Sequence, residues 1–184
     1  MRAATSFHRV ARDMTETDIK FRAAGSFDHV STRKVVADAF GTDGAATAEY
    51  LDALRTDGCI LGEWLAEDLS GPIAHIVFSR VWLERSDGTR QPGAMLTPLA
   101  VRPDRQRVGV GTQLTEHALR ALEAHGERLF LVLGHPGYYP RVGFCATRAA
   151  GIESPWRGEA AFMARASSVP NGRLIMPPVI SDNH

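Results

Sequence analysis

The chain of 184 residues is long enough for one domain with a sizeable core, and its apolar fraction of 44% and charged fraction of 23% are those of an ordinary globular protein. Its 21 basic residues balance 21 acidic ones, which gives no electrostatic case for a nucleic acid or an anionic membrane as the main partner. The two cysteines, Cys59 and Cys145, lie outside any metal-binding spacing, and no apolar run approaches the roughly 20 residues that span a bilayer.

The N-terminal segment differs from the rest of the chain. Its first dozen residues contain three arginines and no acidic residue, but they lack the apolar core of a secretory signal. We expect residues 1–17 to be a disordered leader, or an over-extended start, and residues 18–184 to form a single domain. Within that domain, residues 18–23 predict a short first strand with Ile19 and Phe21 on one face.

Two helices are predicted after this strand. Ser26 is a credible N-cap for the first, which runs to about residue 40. The expected buried side of this helix consists of Phe27, Val30, Val36 and Phe40. The second helix, over residues 45–56, offers Leu51 and Leu54 to the core. The pair forms a cleft wall whose residues the sequence does not assign.

Three apolar runs follow, separated by short turns that contain glycine. They cover residues 60–67, 73–85 and 93–101, and their spacing predicts an antiparallel meander. Pro98 lies inside the third run. Because proline cannot donate to a strand ladder, we expect a bulge or a splayed edge there rather than regular pairing.

A glycine-bearing loop, residues 106–111, joins this strand to a helix that opens near Thr112. Gly109 and Gly111 lack a Cβ, which lets a ligand approach the backbone closely. The first amides of a helix have no intrahelical partner and carry partial positive charge, so they suit a phosphate. The loop lacks the lysine of an NTPase phosphate loop and the third glycine of a dinucleotide fingerprint. An anion site and a plain turn both remain open.

The helix after the loop has one apolar stripe at helical spacing. It consists of Val110, Leu114, Ala118, Ala121, Leu122 and His125. Gly126 ends this helix, and residues 129–133 form a continuous apolar run that is typical of a strand buried on both faces by parallel pairing. Strand, helix and parallel strand therefore make one right-handed crossover.

These motifs carry a family resemblance. Residues 99–112, followed by a helix, an apolar strand and residues 138–144, resemble the GNAT superfamily of acyl-CoA-dependent N-acyltransferases. The resemblance covers roughly residues 18–167 in element order. Gln106, Gly109 and Gly111 fit the family's Q/R-x-x-G-x-G/A loop. Tyr139 fits the tyrosine four residues before the glycine of the family's terminal Gly-Phe pair.

The resemblance implies a fold and a cosubstrate. The fold would be α/β of the α+β type, with a central mixed, mostly antiparallel sheet, splayed between two strands and flanked by about four helices. The cosubstrate would be acetyl-CoA, with no metal. The loop amides would hold its pyrophosphate and the splayed strand its pantetheine, while Arg105 and Arg107 would lie near the adenine and 3′-phosphate. The implied contacts are Leu99, Ala100, Val101, Gln106, Arg107, Val108, Gly109, Val110, Gly111 and Thr112.

The implied reaction is attack of a primary amine on the thioester carbonyl. Tyr139 would be the general acid for the departing thiolate, and the backbone N–H of Leu99 would stabilise the oxyanion. Without the resemblance, the sequence favours Tyr139 as a cap on a hydrophobic edge over a catalytic role. The central strand offers no carboxylate as general base. The candidates are Glu63, Glu84, His75, His135 or an ordered water.

The C-terminal part contains a predicted last strand over residues 160–166, which would pair antiparallel beyond the splay. Residues 152–158 predict a loop at the acceptor side. Residues 172–178 predict either a strand that covers an edge or a homodimer contact. We expect a cytoplasmic enzyme, with a non-catalytic acyl-CoA-binding or sensing module as the alternative and an interaction scaffold as a third hypothesis without a positive sequence feature.

Overall fold

In the computed structural model, which describes residues 19–182, the strands form one mixed sheet with helices packed on both faces. The expected leader at residues 1–17 lies outside the described residues. The strands are β1 (Lys20–Ala23), β2 (Ile60–Asp68), β3 (Gly71–Glu84), β4 (Arg90–Val101), β5 (Phe130–Leu133), β6 (Ile152–Glu153), β7 (Phe162–Arg165) and β8 (Gly172–Ile175). The helices are α1 (His29–Ala39), α2 (Gly44–Asp57), α3 (Val110–Ala124), α4 (Ala146–Ala149) and α5 (Pro178–Ser181).

The sheet has the order β1-β2-β3-β4-β5-β7. All neighbours along this path are antiparallel except β4 and β5, which pair in parallel across the α3 crossover. The predicted meander, crossover and antiparallel last strand are therefore confirmed. β8 pairs with the far end of β3, and β6 pairs in parallel with β8.

The pairing of β8 shows that residues 172–175 form a strand along β3, as one of the two interpretations of residues 172–178 predicts, whereas a homodimer contact there stays a prediction. It also corrects the prediction of a loop over residues 152–158, because Ile152 and Glu153 pair with Gly172 and Arg173. No periodicity signals a two-residue strand, and among the described strands β6 pairs with β8.

The bulge predicted at Pro98 is present. Leu96 pairs with Phe78 and Leu99 pairs with Ile76, so two residues of β4 face one residue of β3. The hydroxyls of Thr97 and Ser79 lie 2.9 Å apart and are buried, which satisfies polar atoms at this irregular position. Parallel pairing of β4 with β5 ends at Leu96, so the two strands diverge beyond the bulge.

Helix α3 packs on one face of the sheet, against β2, β3 and β4. Its buried residues are Val110, Leu114, Thr115, Ala118, Leu119 and Leu122. The predicted stripe is wrong at its C-terminal end, where His125 is exposed and Ala121 is only partly buried. His125 is the C-cap residue, and its Nδ1 lies 2.8 Å from the carbonyl oxygen of Ala121 instead of reaching the core.

Helix α1 buries a different face from the predicted one. Its buried residues are Thr32, Val35 and Val36, whereas Phe27 and Val30 are 102% and 84% exposed. Val36 is buried as predicted, but Val30 lies five and six residues before the two buried valines and so faces away from them. Ser26 is not the N-cap, because the Asp28 carboxylate accepts the Gly25 amide at 2.9 Å instead.

A buried ion network ties α1 and α2 to the sheet. The Glu63 carboxylate accepts hydrogen bonds from Arg55 at 2.7 Å and from His75 Nε2 at 2.8 Å, and Arg55 also donates to Thr32 at 2.9 Å. Burial lowers the pKa of His75 despite its carboxylate partner, so the neutral ring donates through Nε2. Burial raises the pKa of Glu63, but the hydrogen bonds from His75 and Arg55 outweigh that effect and hold this pKa at about 2.

This network makes the stability of the fold depend on pH. The folded pKa of Glu63, about 2, lies below its ordinary value of 4.5, so the stabilisation is present above about pH 4.5 and lost as the pH falls toward 2. We expect the drop in the free energy of unfolding across that range to be about 1–3 kcal/mol smaller in Glu63→Gln than in the unchanged protein, because the other carboxylates, Asp28 among them, titrate in both. Urea denaturation at several pH values measures both quantities. An equal pH dependence in the variant would contradict the assignment.

Candidate functional site

The divergence of β4 and β5 opens a cleft between these two inner strands of the sheet. On one side lies a cavity of about 790 Å³ bordered by the glycine loop, which we call the loop cavity. On the other side lies a cavity of about 410 Å³ bordered by α2, which we call the helix cavity. The two share a wall that consists of Phe40, Leu99, His135 and Tyr139.

The glycine loop is held in a defined shape. The side chain of Gln106 donates from Nε2 to the carbonyl oxygen of Val101 at 3.0 Å, which ties the loop to the end of β4. Arg107 and Gly109 have φ angles of 63° and 89°, both in the left-handed region. For a residue with a Cβ such as Arg107, this conformation costs on the order of 1 kcal/mol, so the surrounding structure must impose it.

Most backbone amides of this loop have no hydrogen-bond acceptor within residues 19–182. The first amide after the loop with a carbonyl partner is that of Gln113, which donates to Gly109 at 3.1 Å. Within residues 19–182, no acceptor receives a hydrogen bond from the amides of residues 107–112. These amides and the N-terminal dipole of α3 make a concave site for an anion such as a phosphate.

Position 111 lies where the ligand would approach the backbone. A Cβ built on Gly111 would lie 3.2 Å from both the Tyr138 hydroxyl and Val101 Cγ2. The Tyr138 hydroxyl is itself held 3.3 Å from Thr115 Oγ1. A side chain at position 111 would therefore push into the loop cavity or displace its wall.

Three arginines, Arg105, Arg107 and Arg141, also line the loop cavity. Arg105 is already paired with Asp68 and Asp104. Among the described carboxylates, none forms an ion pair with Arg107 or Arg141, so these two are the cations that an anionic ligand would meet.

Tyr139 stands between the two cavities in a rigid aromatic setting. Its ring packs edge-on against Tyr138 and Phe144, with centroids 4.9 and 5.7 Å away. Only 7% of the residue is exposed, and burial raises the pKa of its phenol, so the hydroxyl stays protonated at neutral pH. A Cβ built on Gly134 would lie 2.2 Å from Tyr139 Cε2, so the glycine leaves the space that the ring occupies.

The structure brings most of the predicted cofactor contacts to the loop cavity. The residues that line it are Leu99, Val101, Gln106, Arg107, Gly109, Gly111 and Thr112. The side chains of Ala100, Val108 and Val110 do not. Ala100 packs on the α1 side of the sheet, and Val110, the first residue of α3, is buried between that helix and the sheet. Val108 is 67% exposed. Because the side chains of Ala100 and Val110 are buried, these two residues can contact a ligand only through their backbone.

Of the four side chains considered as a general base, His135 alone lines the cleft. Glu63 and His75 belong to the buried network and are absent from the walls of both cavities. Glu84 lies at the opposite end of β3, where it pairs with two arginines. No carboxylate among the described residues lines the helix cavity.

Two aromatic residues of the cleft were missed by the sequence analysis. Phe40, expected in the core, is 38% exposed and borders both cavities. Tyr50 on α2 borders the helix cavity and interacts with Thr97, and burial raises the pKa of its phenol. Nothing in the sequence distinguishes an aromatic residue that faces a cleft from one that faces the core.

Neither a metal-binding cluster nor a membrane-spanning helix is found within the described residues. No group of three or more His, Cys, Asp or Glu side chains in residues 19–182 has an arrangement that could hold a metal ion. None of the helices within this range is long and apolar enough to cross a membrane.

Comparison with known proteins gives consistent matches. Residues 31–144 match the family model described as the acetyltransferase (GNAT) family. An uncharacterised N-acetyltransferase, YjhQ of Escherichia coli (strain K12), is 32% identical over 135 residues, which cover 71% of this chain and 72% of the relative.

Solved structures match over most of the chain as well. A GNAT family acetyltransferase from Brucella melitensis, in complex with acetyl-CoA, has a TM-score of 0.71 and 25% identity, with 88% of this chain and 97% of that chain covered. The GNAT family N-acetyltransferase YhbS of Escherichia coli, in complex with CoA, has a TM-score of 0.77 and 25% identity, with 88% and 91% covered.

Proposed function

The chain belongs to the GNAT family of acetyltransferases, and from this premise we propose that it transfers the acetyl group of acetyl-CoA to a primary amine of a small-molecule or protein acceptor. The observation that carries the proposal is the set of unbonded amides at residues 107–112 beside the splay of β4 and β5. Two GNAT structures with 25% identity to this chain contain acetyl-CoA and CoA. Residues 18–184 are proposed as one catalytic domain.

The residues of the loop cavity fit coenzyme A chemically. The loop amides and the dipole of α3 would hold the pyrophosphate. Arg107 and Arg141 would pair with the remaining phosphate charge. Because Gly111 has no side chain, the space that a Cβ would fill is free for the ligand. The backbone of residues 99–101, which β5 does not pair with, would form hydrogen bonds with the pantetheine amides. The cosubstrate supplies a thioester, whose acetyl carbon would then lie at the wall shared by the two cavities.

At that wall, Tyr139 is proposed as the general acid. The amine nitrogen bonds to the acetyl carbon, the carbon–sulfur bond breaks, and the Tyr139 hydroxyl gives its proton to the departing sulfur. The backbone N–H of Leu99, directly after the bulge, would stabilise the oxyanion in between. His135 or water would accept the proton that the amine loses, because no carboxylate lines the helix cavity among the described residues.

The proposal is tested by release of coenzyme A thiol from acetyl-CoA in the presence of a panel of amines, together with calorimetric titration of coenzyme A. We expect saturable binding and amine-dependent thiol release. Binding of coenzyme A without turnover on any amine would favour the alternative of a non-catalytic acyl-CoA sensor. The cytoplasmic location and a homodimer stay predictions.

The close contact at Gly134 tests the position of Tyr139 without touching its hydroxyl. In Gly134→Ala the new methyl group would overlap the ring, and we expect kcat to fall by about tenfold or more because the proton donor is displaced. The matched control is Gly137→Ala in the same loop, where no atom lies within 4 Å of a built Cβ, and its kcat should be unchanged. Equal activities of the two variants would contradict this positioning.

A further inference from the structure

The helix cavity has an unusual lining for a site that receives an amine. Its residues are mainly apolar or aromatic, and within the described chain they include no Asp, Glu, Lys or Arg. The polar groups at its edge are those of Thr47, Thr97, Tyr50, Tyr139 and His135. The cationic side chains of the cleft, Arg105 among them, lie on the loop cavity instead.

This lining decides how an amine can enter. Moving an ammonium ion out of water without a carboxylate partner is costly, and the cost lowers the pKa of a bound amine. An acceptor with a single amine avoids this cost, because it loses its extra proton to water before it enters and arrives as the neutral nucleophile. A di- or polycation cannot avoid the cost, because each additional charge would need a carboxylate partner and no described residue of the cavity supplies one.

The same lining favours an apolar body on the acceptor. Phe40, Tyr50 and Met95 present apolar surface to the cavity, and burial of ligand surface against them stabilises the complex in proportion to its area. The cavity volume of about 410 Å³ lies near the lower end of the roughly 300–1,000 Å³ range of small-molecule sites.

We propose that the acceptor is a small monoamine with an apolar or aromatic body, bound in the helix cavity with its nitrogen toward Leu99 and His135. The proposal rests on the proposed function and narrows its acceptor class. It separates this chain from enzymes that acetylate polyamines or other polycations, since those substrates require fixed negative charge near the amine.

The first test compares acceptors that differ in their body. With acetyl-CoA saturating, we expect kcat/KM for 2-phenylethylamine to exceed that for putrescine by about tenfold or more, the size that apolar contacts in such pockets produce. A preference for putrescine, or for Nα-acetyl-lysine over 2-phenylethylamine, would overturn the proposal.

The second test adds the missing charge. Thr47 lies in the second turn of α2 and lines the cavity, so Thr47→Asp places a carboxylate there, near a helix N-terminus that tolerates negative charge. We expect the preference for 2-phenylethylamine over putrescine to shrink by about tenfold or more. Thr47→Asn, nearly the same shape without charge, should shift it far less.

A charge control comes from the same helix. Ala45 is exposed on α2 and does not line the cavity, so Ala45→Asp should leave the preference unchanged. Equal shifts in Thr47→Asp and Ala45→Asp would overturn the local role of the cavity. The two proposals fail differently: if no amine supports thiol release the proposed function fails, whereas turnover of putrescine alone leaves that function standing and removes only the acceptor class.

Discussion

Replacing Tyr139 by phenylalanine is expected to lower kcat by about 100-fold while the Kd of coenzyme A stays nearly constant. The variant keeps the ring that packs against Tyr138 and Phe144 and removes only the hydroxyl, so the fold is retained. General acid catalysis contributes about 10²–10⁴-fold in enzymes, and the low end applies because a thiolate is already a fair leaving group. Steady-state thiol release measures kcat, and calorimetry measures the Kd.

The neighbouring tyrosine provides the matched control for this experiment. Tyr138 carries the same hydroxyl at the same cleft, but that hydroxyl lies 3.3 Å from Thr115 and only the loop cavity is within its reach. Tyr138→Phe should therefore cost far less in kcat. Full activity of Tyr139→Phe, or an equal loss in both variants, would remove Tyr139 from the catalytic role.

Replacing Gly109 by glutamate is expected to raise the Kd of coenzyme A by about 100-fold or more. The glycine has a φ angle of 89°, a conformation that an L side chain rarely adopts, and it lies at the N-terminus of α3 among the unbonded amides. A carboxylate there would neutralise the dipole and repel the pyrophosphate. Calorimetric titration of coenzyme A measures the change.

Backbone strain alone could also weaken the loop, and Gly126 separates the two causes. It has a φ angle of 96° just after α3, with open space around it, so Gly126→Glu imposes similar strain away from the cleft. We expect Gly126→Glu to lower the thermal unfolding midpoint without changing coenzyme A affinity. If Gly109→Glu bound coenzyme A as tightly as Gly126→Glu, the phosphate-binding role of the loop would have to be abandoned.

The features that the sequence predicts well are those that a residue type imposes on its own backbone. Pro98 removes a ladder donor, and the bulge and splay appear where it stands. Gly109 permits positive φ, and the loop turns there. The apolar run in β5 requires burial on both faces, and the structure provides it, because Phe130 and Val132 pack in the cluster that contains α3 while Leu131 packs in the cluster on the other face.

Features that depend on the phase or environment of a helix were harder to predict. Val30 lies six residues before the buried Val36, which places the two on different sides of α1 and leaves Val30 on the surface. Phe40 and Tyr50 have the pattern of core residues but face the cleft, since periodicity does not reveal what lies opposite a helix. Glu63 and His75 are candidates for the general base in the sequence, and only the tertiary contacts show that Glu63 is paired with both His75 and Arg55.

The wall shared by the two cavities has a thermodynamic consequence. Phe40, Leu99, His135 and Tyr139 border both, so a ligand in either cavity contacts groups that the other ligand also meets. Any ligand that shifts one of these groups in one cavity changes the affinity of the other cavity. Linkage makes this effect equal in both directions, so a cosubstrate in the loop cavity and the proposed acceptor in the helix cavity would act as each other's effectors within a single ternary complex.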